Sequence, residues 1–186
     1  MIKQQEYAKR RKQLMQHIGP EGIAILPAAQ EATRNNDATY VYRQHSDFYY
    51  LTGFNEPEAV LVLAPKRKGG EYILFNRVRD RSREIWDGPR AGQEGARETF
   101  LADESFPISE LANLLPELLV GRDKVYYPFG QLENFDRLIM DAINQSRSKV
   151  RTGLRFPTSF ADLSNEVHEM RLFKSKTELA MMQKAV

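Results

Sequence analysis

Six consecutive apolar residues, Ala59-Val60-Leu61-Val62-Leu63-Ala64, constrain this 186-residue chain more than any other feature. The run is of strand length, bounded by Pro57 and Pro65, and it does not alternate with polar residues. A strand apolar on both faces has to be covered on both faces, which requires a layer of packed elements on each side of the sheet. Two neighbouring stretches, "DFYYLTG" and "GEYILFNRV", are also rich in aromatic and branched residues and read as strands. The second of them is separated from the apolar run only by a short basic turn at Lys68-Gly69-Gly70, which predicts an antiparallel pair.

The covering layers are visible as helical periodicity. "EYAKRRKQLMQHIGPEG" places Tyr7, Leu14, Met15 and Ile18 on one face, with Arg10, Lys12 and Gln13 mostly outside it, and Gly19-Pro20 ends the pattern. "ISELANLLPELLVG" spaces Ile108, Leu111, Leu114, Leu115, Leu118 and Leu119 as a helix ending at Gly121, with Pro116 expected to kink or split it. "LENFDRLIMDAINQSRSK" turns Leu132, Phe135, Leu138, Ile139 and Ile143 inward. "GIAILPA" and "KVYYP" read as further short strands, whereas "AQEATRNNDATYVYRQ" and "SREIWDGPRAGQEG" read as loops. Strands alternating with helices, with one hairpin among them, give the α/β class: a mixed sheet flanked by helices. Near the end, Ser175-Lys176-Thr177-Glu178 is an S-x-x-E capping box that starts a helix carrying Leu179, Met182 and Val186. That helix has no stop signal, so the expectation is that it leads into a further domain.

Composition narrows the chemistry. The absence of cysteine excludes a disulfide scaffold, a zinc ribbon and a thiol nucleophile, and fits a reducing compartment. The chain begins on charge without an apolar signal region, and no stretch approaches the roughly 20 apolar residues of a membrane span; the expectation is a cytoplasmic protein with no membrane partner. With 27 basic and 25 acidic residues, net charge gives no reason to expect a nucleic-acid partner.

The catalytic motifs are poor. His17, His45 and His168 are far apart in sequence; "HEMRL" at His168 puts Leu172 where a zinc-protease helix needs its second histidine. His45 and Asp47 are spaced for local hydrogen bonding more than for an oriented base. Ser146-Arg147-Ser148-Lys149 matches S-x-x-K without the companion motifs, and no phosphate-cradling glycine loop occurs. The basic cluster Arg77, Arg79, Arg81 and Arg83 is interleaved with Asp80, Glu84 and Asp87, which favours a salt-bridge network over a nucleic-acid footprint. Trp86 follows in the glycine-flanked loop. Core packing and an exposed contact surface are equally open for it.

Taken together, "YRQHSDFYYLTGFNEPEAVLVL", "LFNRVRDRSREIW" and "VHEMRLFKSKTELAMMQKA" resemble the N-terminal domain of bacterial aminopeptidase P, the Xaa-Pro aminopeptidase of the creatinase/prolidase, or pita-bread, family. The resemblance runs from the first helix to Val186. It implies a mixed sheet of about six strands flanked by helices. It also implies residues 1–165 as the N-terminal domain and 166–186 as a linker and first helix of a C-terminal catalytic domain lying beyond this sequence. That second domain would hold two manganese ions and hydrolyse the bond before a proline at the second position of a peptide. No catalytic residue and no metal ligand carries over onto this chain, which is expected to be inactive alone. The resemblance gives this domain two tasks, homo-oligomer formation (a tetramer in the parent) and restriction of access to the active site. Trp86 matches a tryptophan that reaches the catalytic pocket of a neighbouring subunit, with Arg77, Arg79 and Asp80 supporting its loop or the interface. "DGPR" after it departs from the family pattern, which leaves the loop's shape open. A free-standing binding or assembly module of the same fold is the alternative.

Overall fold

A computed structural model describes residues 2–148 and 153–185. Its centre is a six-stranded mixed sheet formed by β1 (Gly22–Pro27), β4 (Val60–Leu63), β5 (Tyr72–Asn76), β6 (Glu104–Pro107), β7 (Lys124–Tyr126) and β8 (Ser159–Ala161), in the order β6-β5-β4-β1-β7-β8. β4 pairs antiparallel with β1 on one side, Leu61 opposite Leu26, and with β5 on the other, Leu61 opposite Leu74. The outer pairs, β5 with β6, β1 with β7 and β7 with β8, are parallel. Five strands therefore run one way and β4 alone runs the other.

The non-alternating run is covered on both faces. Leu61 and Leu63 join one core with Ala24, Leu26 and Leu74, beneath α1 (Gln4–Ile18), α2 (Ser46–Thr52), α4 (Gly92–Glu98) and α7 (Leu163–Leu172). Val60, Val62 and Ala64 join the second core with Ile23, Ile25, Ile73 and Phe75, beneath α5 (Leu111–Leu119) and α6 (Glu133–Ser148). The period-2 pleat sends successive side chains to opposite layers, so one apolar strand feeds two cores.

Several local expectations are corrected. "DFYYLTG" is the helix α2 and not a strand: Asp47, Phe48, Leu51 and Thr52 are buried at helical spacing, and Gly53 at φ +67° closes the helix in the left-handed conformation. The carbonyls of its last turn are served by α1. Arg10 donates to Tyr50 O at 3.0 Å and Arg11 to Leu51 O at 2.9 Å. Both arginines, one of them expected outside the buried face, are about as buried as the core, and their guanidiniums lie over the rings of Tyr50 and Tyr72. Pro116 neither splits nor ends its helix. The break lies earlier, where a single 3-10 turn (Ile108–Glu110) leads into α5, and Pro116 is buried inside α5. Ala112, whose carbonyl it leaves without a donor, is on the exposed side where water can serve it.

The stretch expected as the first loop carries a small exposed ladder of β2 (Thr33–Asn35) and β3 (Ala38–Thr39). The second contains two helices, α3 (Arg81–Asp87) and α4. The capping box closes as expected. Ser175 Oγ accepts from the Glu178 N–H at 3.3 Å and the Glu178 carboxylate accepts from the Ser175 N–H at 2.8 Å, opening α8 (Lys176–Ala185). Val186 and Lys149 lie outside the described residues. Among those residues no helix is long and apolar enough to cross a membrane.

Candidate functional site

The strand directions put the C-terminal ends of β1, β5, β6, β7 and β8 along one edge of the sheet, where loops of an α/β fold commonly carry function. At the end of β5 the chain leaves this edge on an excursion, residues 77–91, that carries α3.

No residue of α3 is buried, so a core does not hold it. Its own caps do. Asp80 accepts from the N–H groups of Ser82 and Arg83 at 3.1 and 3.3 Å and from the Ser82 hydroxyl at 2.6 Å. Glu84 accepts the Asp80 N–H at 3.2 Å and takes the Arg79 guanidinium in a two-pronged pair at 3.1 and 2.8 Å. These donors hold both carboxyls below their ordinary range: the Ser82 hydroxyl is the main cause at Asp80, and Arg79 at Glu84.

The two ends of the excursion are tied to the sheet by residues far away in sequence. One Glu56 oxygen accepts the Ala91 N–H at 2.7 Å, and the other meets the Arg77 guanidinium at 3.5 Å. Fully buried Asn76 donates to Gly92 O at 3.0 Å and accepts from the Ser105 hydroxyl at 2.8 Å. Arg90, also buried, pairs with Asp87 at 2.8 Å and donates to Val78 O at 3.4 Å, bridging the excursion's two strands of chain. Tyr42 donates to the carbonyls of Ala29 and Glu56, and burial pushes its hydroxyl up to about 12.

On this braced base the tip presents Ile85 and Trp86, 79 % and 88 % exposed. Of the two readings open for Trp86, core packing is thus excluded. Arg77, Arg79, Asp80 and Trp86 all fall on the one excursion. Arg77 joins its base, while Arg79 and Asp80 build the helix. Glu56, Asn76 and Arg90 were not singled out by the sequence. Glu56 sits in what reads as an ordinary turn, and nothing local marks its partners.

The remaining candidates do not converge here. His168 Nε2 lies 3.1 Å from Asp47 Oδ2, and Arg171 pairs with the other oxygen of the same buried carboxylate. Asp47 therefore bonds across to α7 and not to His45, whose Nδ1 is buried without a hydrogen-bond partner among the described residues. His17 faces Glu166 at 3.9 Å. Ser146 donates its hydroxyl to Ile143 O, as a helix residue commonly does. Among the described residues no group of three or more His, Cys, Asp or Glu side chains could hold a metal ion.

Comparison with known proteins places the chain in a family. Residues 7–127 match the family model described as "Aminopeptidase P, N-terminal domain". The chain is 43 % identical over 185 residues to the Xaa-Pro aminopeptidase of Escherichia coli, covering 99 % of this chain and 42 % of that protein. Among solved structures, Pseudomonas aeruginosa aminopeptidase PepP superposes with a TM-score of 0.92 at 53 % identity, over 96 % of this chain and 40 % of that one. Aminopeptidase P from E. coli gives a TM-score of 0.92 at 43 % identity, over all of this chain and 42 % of that one. The chain thus spans about two-fifths of the length of these relatives. Its six-stranded sheet and flanking helices are those of the N-terminal region of aminopeptidase P, and the chain belongs to the aminopeptidase P N-terminal domain family.

Proposed function

We propose that this chain is the assembly and access-limiting domain of a cytoplasmic Xaa-Pro aminopeptidase, inactive alone. Residues 1–165 form the domain, and 166–186 lead to a second domain that holds two manganese ions and performs the hydrolysis. In the assembled parent, a homo-oligomer, Trp86 reaches a neighbouring subunit's substrate channel and contacts a peptide with proline at its second position.

One observation carries the reading. An exposed Ile85-Trp86 pair stands on a helix braced by Asp80, Glu84, Glu56 and Arg90. A lone solvent-facing tryptophan contributes nothing to its own fold, yet buried groups here hold its platform in one place. Rigid aromatic anchors of this kind are what contact surfaces use. A wall supplied sterically by one domain lets a peptide's free end enter while folded chains are excluded.

The test is Trp86→Ala in the full-length parent, measured with a peptide substrate that carries proline at its second position, beside its sedimentation coefficient. The expected result is a fall in kcat/KM of about ten-fold or more, equivalent to about 1.4 kcal/mol, with Trp86→Phe recovering part of it and the assembly unchanged. Unchanged kinetics would remove the substrate-side role. Chelator-sensitive turnover by the isolated 186-residue chain would remove the claim that catalysis resides elsewhere.

A further inference from the structure

Beside Pro57 and Glu58, which follow the Glu56 anchor in the chain, lies a cavity of about 430 Å³. It opens between the chain leaving β1 (27–31), the chain entering β4 (57–60) and the helices α5 and α6. Val60, Leu111, Phe135 and Leu138 make its walls. The size lies within the range of small-molecule sites, which are apolar with a few placed polar groups.

The polar groups here have one sign. Glu31 and Glu58 stand among the lining residues, which include no lysine or arginine. Neither carboxylate forms an ion pair or a side-chain hydrogen bond among the described residues, and both residues are exposed. Glu58 is held at φ +50°, a left-handed conformation that a glycine would adopt without steric cost. The chain nevertheless places a charged residue there, where it adds negative potential to an apolar mouth. The remaining polar lining groups, Gln30 and Asn134, are neutral.

From this charge pattern we infer that the cavity binds a small amphiphilic amine. Its hydrocarbon part lies between Leu111, Phe135 and Leu138, and its ammonium faces Glu31 and Glu58. An anionic amphiphile of the same shape would bring its charge against two unpaired carboxylates, and a neutral one would gain only the apolar contact. Binding there requires nothing of Trp86 and stands apart from the peptidase reading.

The test uses three six-carbon probes, hexylamine, hexanol and hexanoate, titrated into the chain at pH 7 while the methyl NMR signals of Leu111 and Leu138 are followed. Burying so short a hydrocarbon chain sets the expected dissociation constant for hexylamine on the order of 1 mM. Hexanoate should bind at least ten-fold more weakly, with hexanol between them. Replacing both carboxylates, Glu31→Gln with Glu58→Gln, should bring hexylamine to the level of hexanol; both sites are exposed, so the fold is kept. Three outcomes would overturn the assignment. They are methyl signals that no probe moves, hexanoate binding as tightly as hexylamine, and a double variant that binds hexylamine as before.

Discussion

The carboxylate of Glu56 accepts the backbone N–H of Ala91 at 2.7 Å, across 35 residues of chain. Its second oxygen meets Arg77, so one side chain in the turn before β4 closes both ends of the excursion that carries Trp86. The turn is therefore more than a connection between elements. It sets where α3 stands relative to the sheet, although no residue of α3 reaches the core.

Removing that anchor should free the excursion without unfolding the sheet. Glu56→Ala is expected to cost about 2 kcal/mol in denaturant unfolding, since it leaves a half-buried amide and guanidinium without their acceptor. It should also raise hydrogen exchange at Ala91 and lower Trp86 fluorescence anisotropy. Glu56→Gln keeps an acceptor for Ala91 and should retain that amide's protection. Equal exchange in the two variants would show that the carboxylate does not hold this end.

The cap of α3 should respond to acid. Asp80 and Glu84 are both held below the ordinary carboxylate range by their donors in the folded chain. A group with a depressed folded pKa contributes its stabilisation above its unfolded pKa, near 4, and loses it as pH falls through the lower folded value. Amide protection at Ser82 and Arg83 is thus expected to be constant from pH 7 to about 5 and to decline below pH 4. Asp80→Asn should shift or flatten that decline. Protection lost already between pH 7 and 6 would point to a different group.

Gly53 is a position where both backbone and neighbours resist a side chain. It closes α2 at φ +67°, and a Cβ there would lie 2.7 Å from the Tyr7 ring. Gly53→Ala combines the left-handed penalty with a clash against a packed aromatic and is expected to cost about 2–4 kcal/mol of unfolding free energy. Gly130, at φ +79° with nothing within 4 Å of an added methyl, bears the conformational penalty alone, and Gly130→Ala should cost about 1 kcal/mol. Equal losses at the two sites would show that the Tyr7 contact has no weight.

Arg122 is a buried fastener. One guanidinium nitrogen donates to the carbonyls of Pro20, Gly22 and Pro65 at 2.8, 3.3 and 2.7 Å, joining the start of β1 to the chain that leaves β4. Burial pulls its pKa below the ordinary arginine value. Arg122→Met should cost about 2–3 kcal/mol because the carbonyls lose their donor, and Arg122→Lys should recover only part of it, since its ammonium ends a shorter stem and is more strongly hydrated. A neutral effect of Arg122→Met in thermal unfolding would mean that water replaces the guanidinium.

Elements whose signal is local could be read directly from the sequence. The apolar run at Val60-Leu61-Val62-Leu63, the helical spacing of Leu111, Leu115, Leu118 and Leu119, and the reciprocal cap of Ser175 and Glu178 each depend on residues a few positions apart. α2 was legible in principle, since Phe48, Leu51 and Thr52 keep helical spacing ahead of Gly53, but its aromatic content reads as strand. The burial of Arg10 and Arg11 was not legible. A guanidinium can enter a core only when distant acceptors meet it, and those acceptors are the carbonyls of Tyr50 and Leu51, 40 residues away.

By itself, then, the sequence determined the α/β character with a covering layer on each face of the sheet, most of the helix and strand periods, the capping box and the placing of Trp86 beside a charged cluster. Tertiary structure alone decided that Trp86 faces solvent, that Glu56, Asn76 and Arg90 brace it, and that Asp47 turns to His168 and Arg171 instead of His45. The division has one physical cause. Hydrophobic period and capping chemistry act within a few residues, whereas a buried polar group is satisfied by whatever partner the folded chain brings to it from far along the sequence.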